Sequence, residues 1–304
     1  MQYGSVPFYN QAISRIALGI IPLSTTDQAK SFEILDTYRA LGGNIIDNSK
    51  IYGQAKAHLM RAYYEARGED ALIRFDKGCH HHGETRRVTK EAMDEDIRAN
   101  LEDQGVTYSD FFVLHRDDPS VPVGDIVEWL NEHKEAGRIK AFGGSNWHHS
   151  RIQAANEYAR EHNLQGFSVS SPNLSLATVN EAMWWETYTV DREARDWYEE
   201  TQFPLFAWSS AGGGWFAGAT SPDVIRVYEN EENKARLART RELAEKRDVT
   251  PYQIALAWTL NQPLNIFALV GPDTVEQLQV NMATVNLKLT PEELAYLEFG
   301  QGNA

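Results

Sequence analysis

Eight short apolar runs, each followed by a longer stretch, constrain this chain more than any other feature of its sequence. The runs are RIALGII (15–21), NIIDNS (44–49), ALIRFDKG (71–78), DFFVLHR (110–116), IKAFGGSN (139–146), GFSVSSPN (166–173), PLFAWSS (204–210) and NIFALVG (265–271). Continuous runs rich in β-branched and aromatic side chains suit strands buried on both faces, as in a parallel sheet. The segments between them read as helices. DQAKSFEILDTYRALGG places Phe32, Leu35, Tyr38 and Leu41 at helical spacing and stops at Gly42-Gly43. VTKEAMDEDIRANLEDQG, DIVEWLNEHKEAG and RIQAANEYAREHN repeat the theme. With no linker-like tract between these units, the pattern predicts an α/β fold, one (β/α)8 TIM barrel over residues 1–304. A doubly wound open sheet would want a Gly-rich phosphate loop after the first strand, and IIPLSTTD offers none.

Composition narrows the function classes. The net charge of −14, from 43 acidic and 29 basic residues, repels nucleic acid and anionic lipid. Any positive charge needed for a phosphorylated cofactor must therefore be local. The single cysteine, Cys79, permits no internal disulfide, and a reducing, cytoplasmic location is the default expectation. The N-terminal MQYGSVPFYNQAISR has neither a basic leader nor an apolar core, and no apolar run approaches the roughly 18 residues of a membrane span. The oligomeric state is left open. Two long connections, 174–190 and 211–235, follow the sixth and seventh runs, at the barrel rim where active sites sit.

The chemistry collects at the ends of the runs. The second ends in Asp47, followed by Tyr52; the third ends in Lys77, the fourth in His115, the fifth in Ser145-Asn146; the seventh carries Trp208 and Ser209. In a barrel these ends share one rim. A tyrosine is a poor acid at its ordinary pKa near 10, so an adjacent ammonium is expected to stabilise the phenolate and lower that value. A carboxylate behind the ammonium would hold it charged, and a histidine would orient a carbonyl oxygen. Singly, Asp47 reads as a loop cap, Tyr52 as packing and His115 as a core histidine; Lys77 in an apolar strand needs a partner. The four in successive strand order point to proton transfer.

Seven segments together resemble the aldo-keto reductase family: GGNIIDNSKIYG (42–53), the strand ending in Lys77, FFVLHRDDP (111–119), AFGGSNW (141–147), FAWSSAGGG (206–214), IALAWTLNQP (254–263) and VGPDTVEQLQVNMA (270–283). The resemblance runs from about residue 15 to residue 298. It implies an NAD(P)H-dependent reductase of a small-molecule aldehyde or ketone, a sugar or sugar derivative among the options. Tyr52 would be the proton donor, tuned by Lys77 and Asp47, with His115 orienting the carbonyl. Ser145 and Asn146 would meet the nicotinamide carboxamide, Ser171 in place of a nicotinamide-contacting glutamine would leave that cofactor contact shorter or lost, and Trp208 would stack on the ring. Ser209, Ser210 and Gly213 would touch the pyrophosphate. Gly271, Asp273, Gln277 and Asn281 would hold the adenosine end.

Three positions depart from the family. Asp273 and Thr274 stand where relatives usually carry an arginine for the 2′-phosphate, so a carboxylate there favours free ribose hydroxyls and relaxed cofactor choice, NADP or NAD. Ser171 replaces a glutamine, and Lys56-Ala57 replaces Ser-Glu. The triplet His80-His81-His82 follows Lys77, but three consecutive histidines cannot face one point, so no metal site is expected. They read as solvated loop or substrate contact. Two rival functions are a metal-dependent barrel hydrolase built on Asp47, His115 and that triplet, and a non-catalytic barrel that binds the cofactor as a regulatory subunit.

Overall fold

The computed structural model of the chain describes residues 1–300. An antiparallel hairpin, β1 (Tyr3–Val6) and β2 (Tyr9–Ser14), precedes eight further strands. These are β3 (Ile16–Gly19), β4 (Ile45–Ser49), β5 (Ile73–Gly78), β6 (Ser109–Leu114), β7 (Ile139–Ser145), β8 (Val169–Ser171), β9 (Leu205–Ala207) and β10 (Ile266–Val270). They are parallel and close into a barrel in sequence order, with β10 pairing back onto β3. Each overlaps one apolar run, and β4, β5, β6 and β10 are buried at every position, Asp47, Arg74, Asp76 and Lys77 included, as a parallel sheet covered on both faces requires.

Helices alternate with the strands and take their ends from the sequence. Thr89 accepts from the backbone of Ala92 to start the helix Lys90–Gln104, which stops at Gly105 in the left-handed conformation. Thr250 with Gln253 and Thr290 with Glu293 form capping boxes on Pro251–Leu260 and Pro291–Phe299. The interior is packed by Phe75, Phe111, Phe206 and Phe267, the last two stacked with ring centroids 4.4 Å apart.

The hairpin was not expected from the sequence. Its turn is Pro7-Phe8, with Phe8 at φ 62°, and lacks the Asn-Gly signal that marks such turns. Val6, Tyr9 and Ile13 pack into the interior cluster from the N-terminal end of the barrel, and the Tyr9 hydroxyl donates to Asp110 at 2.9 Å. The opposite end carries the long connections. Residues 174–190 contain neither helix nor strand, as expected, and are pinned where Val190 donates to the Asn173 carbonyl at 2.9 Å. The expected loop 211–235 is instead structured: a 3-10 segment at Gly212–Ala217, a helix at Pro222–Tyr228 and the start of another at Glu231. One close approach explains AFGGSNW: a Cβ at Gly143 would lie 2.0 Å from the Val169 carbonyl oxygen of the neighbouring strand.

Candidate active site

A cavity of about 530 Å³ opens at the C-terminal end of the barrel. Asp47, Tyr52, Lys77, His115, Ser145, Asn146, Trp208, Ser209, Ser210, Gly213 and Gly271 all line it. Each sits at or just beyond a strand end, so the parallel register brings side chains far apart in sequence to one wall. Lys77, only 3% exposed, pairs through Nζ with Asp47 Oδ1 at 2.6 Å. Tyr52 ends the 3-10 turn Lys50–Tyr52 directly after β4, and its hydroxyl donates to Asp47 Oδ2 at 3.4 Å. The Lys77 ammonium stands 5.7 Å from the centre of the Tyr52 ring. The His115 ring meets that ring edge-on, centroids 6.2 Å apart, and its Nδ1 lies 2.9 Å from Ser49 Oγ.

The electrostatics follow from burial. Desolvation opposes the Lys77 ammonium, but the Asp47 carboxylate more than offsets it and keeps the lysine charged. Burial, with Lys77 and Arg116 nearby, holds His115 well below its ordinary pKa, so the imidazole is neutral and carries one N–H. Tyr52 corrects an expectation. Its pKa is pushed up to about 12, because burial and the Asp47 charge outweigh the pull of Lys77. The acid is held protonated rather than made unusually acidic.

The cofactor candidates divide. Ser145 Oγ donates to the Ser171 carbonyl at 2.8 Å and accepts from Asn146 Nδ2 at 3.1 Å. The Asn146 amide is fully engaged within the protein: Nδ2 also donates to the His115 carbonyl, and Oδ1 accepts from Trp208 Nε1 at 3.1 Å and Tyr188 N at 3.2 Å. It clamps the Trp208 ring to the His115 backbone. Asn146 and Ser209 adopt positive φ, 62° and 50°, a strained conformation that recurs where a fold over-determines a site. Ser210 Oγ donates to the Leu269 carbonyl.

Ser171, Asp273, Gln277 and Asn281 do not line the cavity. Ser171 is buried behind Ser145, and its Oγ has no partner among the described residues. Asp273, Gln277 and Asn281 lie beyond Gly271, at and along the helix Val275–Thr284; Gln277 Oε1 accepts from the Asp273 amide at 2.6 Å. Lys56 donates to the Leu23 carbonyl. Trp184, one of the rim-loop tryptophans that suit a sugar face or ring compound, also lines the cavity, whereas sequence reasoning missed Arg116, Thr187 and Tyr252. Arg116 was legible as the charge that follows His115 at a strand end; the others come from loops and a helix whose placement the strand pattern does not set.

The histidine triplet packs rather than gathers. His80 lies edge-on to His115 with centroids 4.8 Å apart, His81 to Trp185 at 4.7 Å, and His82 is exposed. Among the described residues no group of three or more His, Cys, Asp or Glu side chains could hold a metal ion, so the hydrolase reading lacks a ligand set. No helix of the described residues is long and apolar enough to cross a membrane.

The aldo/keto reductase family model matches residues 15–299. A versiconal hemiacetal acetate reductase of Aspergillus parasiticus is 29% identical over 229 residues, 71% of this chain and 62% of that protein. A putative voltage-gated potassium channel subunit beta of Schizosaccharomyces pombe is 26% identical over 237 residues, 69% of this chain and 64% of that protein. The alignments thus span somewhat under two thirds of these relatives' own length. A solved thermostable aldo-keto reductase in complex with the inhibitor epalrestat superposes with a TM-score of 0.74 at 19% identity, over 98% of this chain and 99% of that one.

Proposed function

The chain belongs to the aldo/keto reductase family, and we propose that it works as one barrel unit that reduces an aldehyde or ketone to the alcohol with NADPH or NADH, Tyr52 giving the proton. The observation that carries this reading is the buried Lys77–Asp47 pair beside the Tyr52 hydroxyl, with a neutral His115 ring on the same cavity wall. A carbonyl oxygen set between Tyr52 and His115 meets two donors, provided the histidine proton is on Nε2, with Nδ1 accepting from the Ser49 hydroxyl. The bound cofactor supplies hydride to the carbonyl carbon. As negative charge grows on the oxygen, Tyr52 releases its proton, and Lys77 stabilises the phenolate left behind. A phenol held near 12 still transfers downhill, because an alkoxide is the stronger base. Asp47 keeps Lys77 charged and aimed.

The residues fit a nicotinamide cofactor. Trp208 offers an aromatic face on the cavity wall, held by Asn146. Gly212, Gly213 and Gly214 all lie at positive φ, giving a turn whose backbone reaches the cavity without side chains. Asp273 beyond Gly271 disfavours a 2′-phosphate, so NADH is expected to serve at least comparably to NADPH. Comparing kcat/KM for the two cofactors tests this; a hundredfold preference for NADPH refutes it.

The function itself is tested by following loss of reduced-nicotinamide absorbance with a panel of sugars, sugar derivatives and aromatic aldehydes. Turnover that vanishes in Tyr52→Phe supports the reading, and its absence with every carbonyl overturns it. The resemblance to a putative channel subunit favours a second reading, a cofactor-binding regulatory barrel. That reading has no use for a tuned acid, and it predicts tight cofactor binding with no turnover.

A further inference from the structure

Arg116 follows His115 at the end of β6, is 4% exposed, and lines the same cavity as Tyr52. Its guanidinium donates from Nε to the Trp185 carbonyl at 3.1 Å and from Nη1 to the His115 carbonyl at 2.8 Å. Among the described residues, Nη2 donates to nothing and no carboxylate forms an ion pair with Arg116. The neighbouring cations are all neutralised: Lys77 by Asp47, Arg86 by Glu186, Arg87 by Asp96 and Arg151 by Asp117. Glu186 acts on Arg116 through charge alone: its Oε1 is held by Arg86, its Oε2 is buried without a hydrogen-bond partner, and neither oxygen forms an ion pair with Arg116. Burial holds the Arg116 pKa down to about 10, leaving it charged at neutral pH. A buried guanidinium with free N–H groups on a cavity is costly unless an anion meets it.

We propose that the carbonyl substrate of this protein carries an anionic oxygen group, a carboxylate or its like, and that Arg116 receives that group. The inference rests on the reductase reading of the same cavity. The chain as a whole is acidic, with net charge −14, so an excess positive charge inside this cavity is a local feature rather than a reflection of composition. The free Nη1 and Nη2 protons give a planar edge that matches a carboxylate, and the two bonds to backbone carbonyls already fix the side chain, so little freedom is lost on binding. Trp184, 54% exposed and also on the cavity wall, offers an apolar face for the body of the molecule. A neutral sugar would leave Arg116 unpaired; a carbonyl compound bearing an acid group would not.

Matched probes test this: 3- and 4-formylbenzoate, 4-formylbenzenesulfonate, and the methyl esters of the two benzoates. Turnover is followed with reduced cofactor, and binding is followed by tryptophan fluorescence on protein loaded with oxidised cofactor. The expected result is a kcat/KM and an affinity roughly tenfold to a hundredfold higher for at least one carboxylate than for its ester, the size of one charge-assisted pair. The sulfonate arm tells planar from tetrahedral oxyanions. In Arg116→Gln the ratio should collapse to near one, and in Arg116→Lys it should partly recover, which a purely structural role would not produce; a cooperative thermal transition shows that each variant is folded. Turnover of acid and ester with equal efficiency overturns the anion site and leaves the reductase reading intact. Preferential binding of the acid with no turnover of any probe overturns the reductase reading and leaves the anion site. A carboxylate preference unchanged in Arg116→Gln removes Arg116 from the role.

Discussion

The Tyr52 hydroxyl lies 3.4 Å from Asp47 Oδ2, with the Lys77 ammonium beside both groups, and burial pushes its pKa up to about 12. Reduction needs the protonated form, which is present at every pH below that value. Reduction by the wild-type protein is therefore expected to be level through the neutral range and to fall only in strong alkali. Alcohol oxidation, which needs the phenolate, should instead climb with pH. Paired pH–rate profiles with saturating cofactor check both limbs, and an oxidation rate that falls with rising pH would contradict the assignment. Tyr52→Phe should lower kcat for reduction by about two to four orders of magnitude while cofactor affinity stays within a few-fold. Lys77→Met removes the cation that stabilises the phenolate and leaves Asp47 buried without its partner. It should move the oxidation limb to higher pH and lower stability by about 3–5 kcal/mol, read by urea unfolding.

Among the elements, the strand ends do most of the positioning, and they do it by close packing. β7 meets β8 through Gly143 opposite Val169, and there is no room for a methyl group, since a Cβ would sit 2.0 Å from the Val169 carbonyl oxygen. Gly143→Ala is expected to cost about 3 kcal/mol or more in denaturant unfolding, because backbone cannot give way as a flexible side chain can. The same displacement would move Ser145 and Asn146 at the end of β7, so KM for the cofactor should rise with it. An alanine variant as stable as the parent would show that the two strands stand further apart than described. The clamp formed by Asn146, joining the His115 backbone to the Trp208 indole, is the kind of element-to-element tie that such a shift would break.

For the whole molecule, the two ends of the barrel carry separate duties. The hairpin β1–β2 closes the N-terminal end with Val6, Tyr9 and Ile13, while the chemistry-bearing residues occupy the other. Tyr9 packs on Phe111 with ring centroids 4.7 Å apart and donates to buried Asp110. Tyr9→Ala should therefore lower stability by about 3 kcal/mol while leaving KM for substrate and cofactor unchanged. A variant that loses cofactor affinity without losing stability would show that the two ends are coupled.

The repeat of apolar runs by itself determined the barrel, because burial on both faces of a parallel strand imposes a local pattern that any eight such strands must show. The same pattern located Asp47, Lys77, His115, Asn146 and Trp208, since a strand's end is where its apolar run stops. Other features depended on contacts between segments distant in the chain and left no local mark. The hairpin turns at Phe8 without a turn signal, Asn146 directs its amide into the protein rather than into the cavity, and Arg116, though its place after His115 is legible, lacks a carboxylate partner only because its neighbours pair elsewhere. The pKa of Tyr52 went against the expectation for the same reason. Spacing along a chain tells which charges come near one another, but desolvation sums over everything that surrounds a group, and only the folded molecule decides that sum.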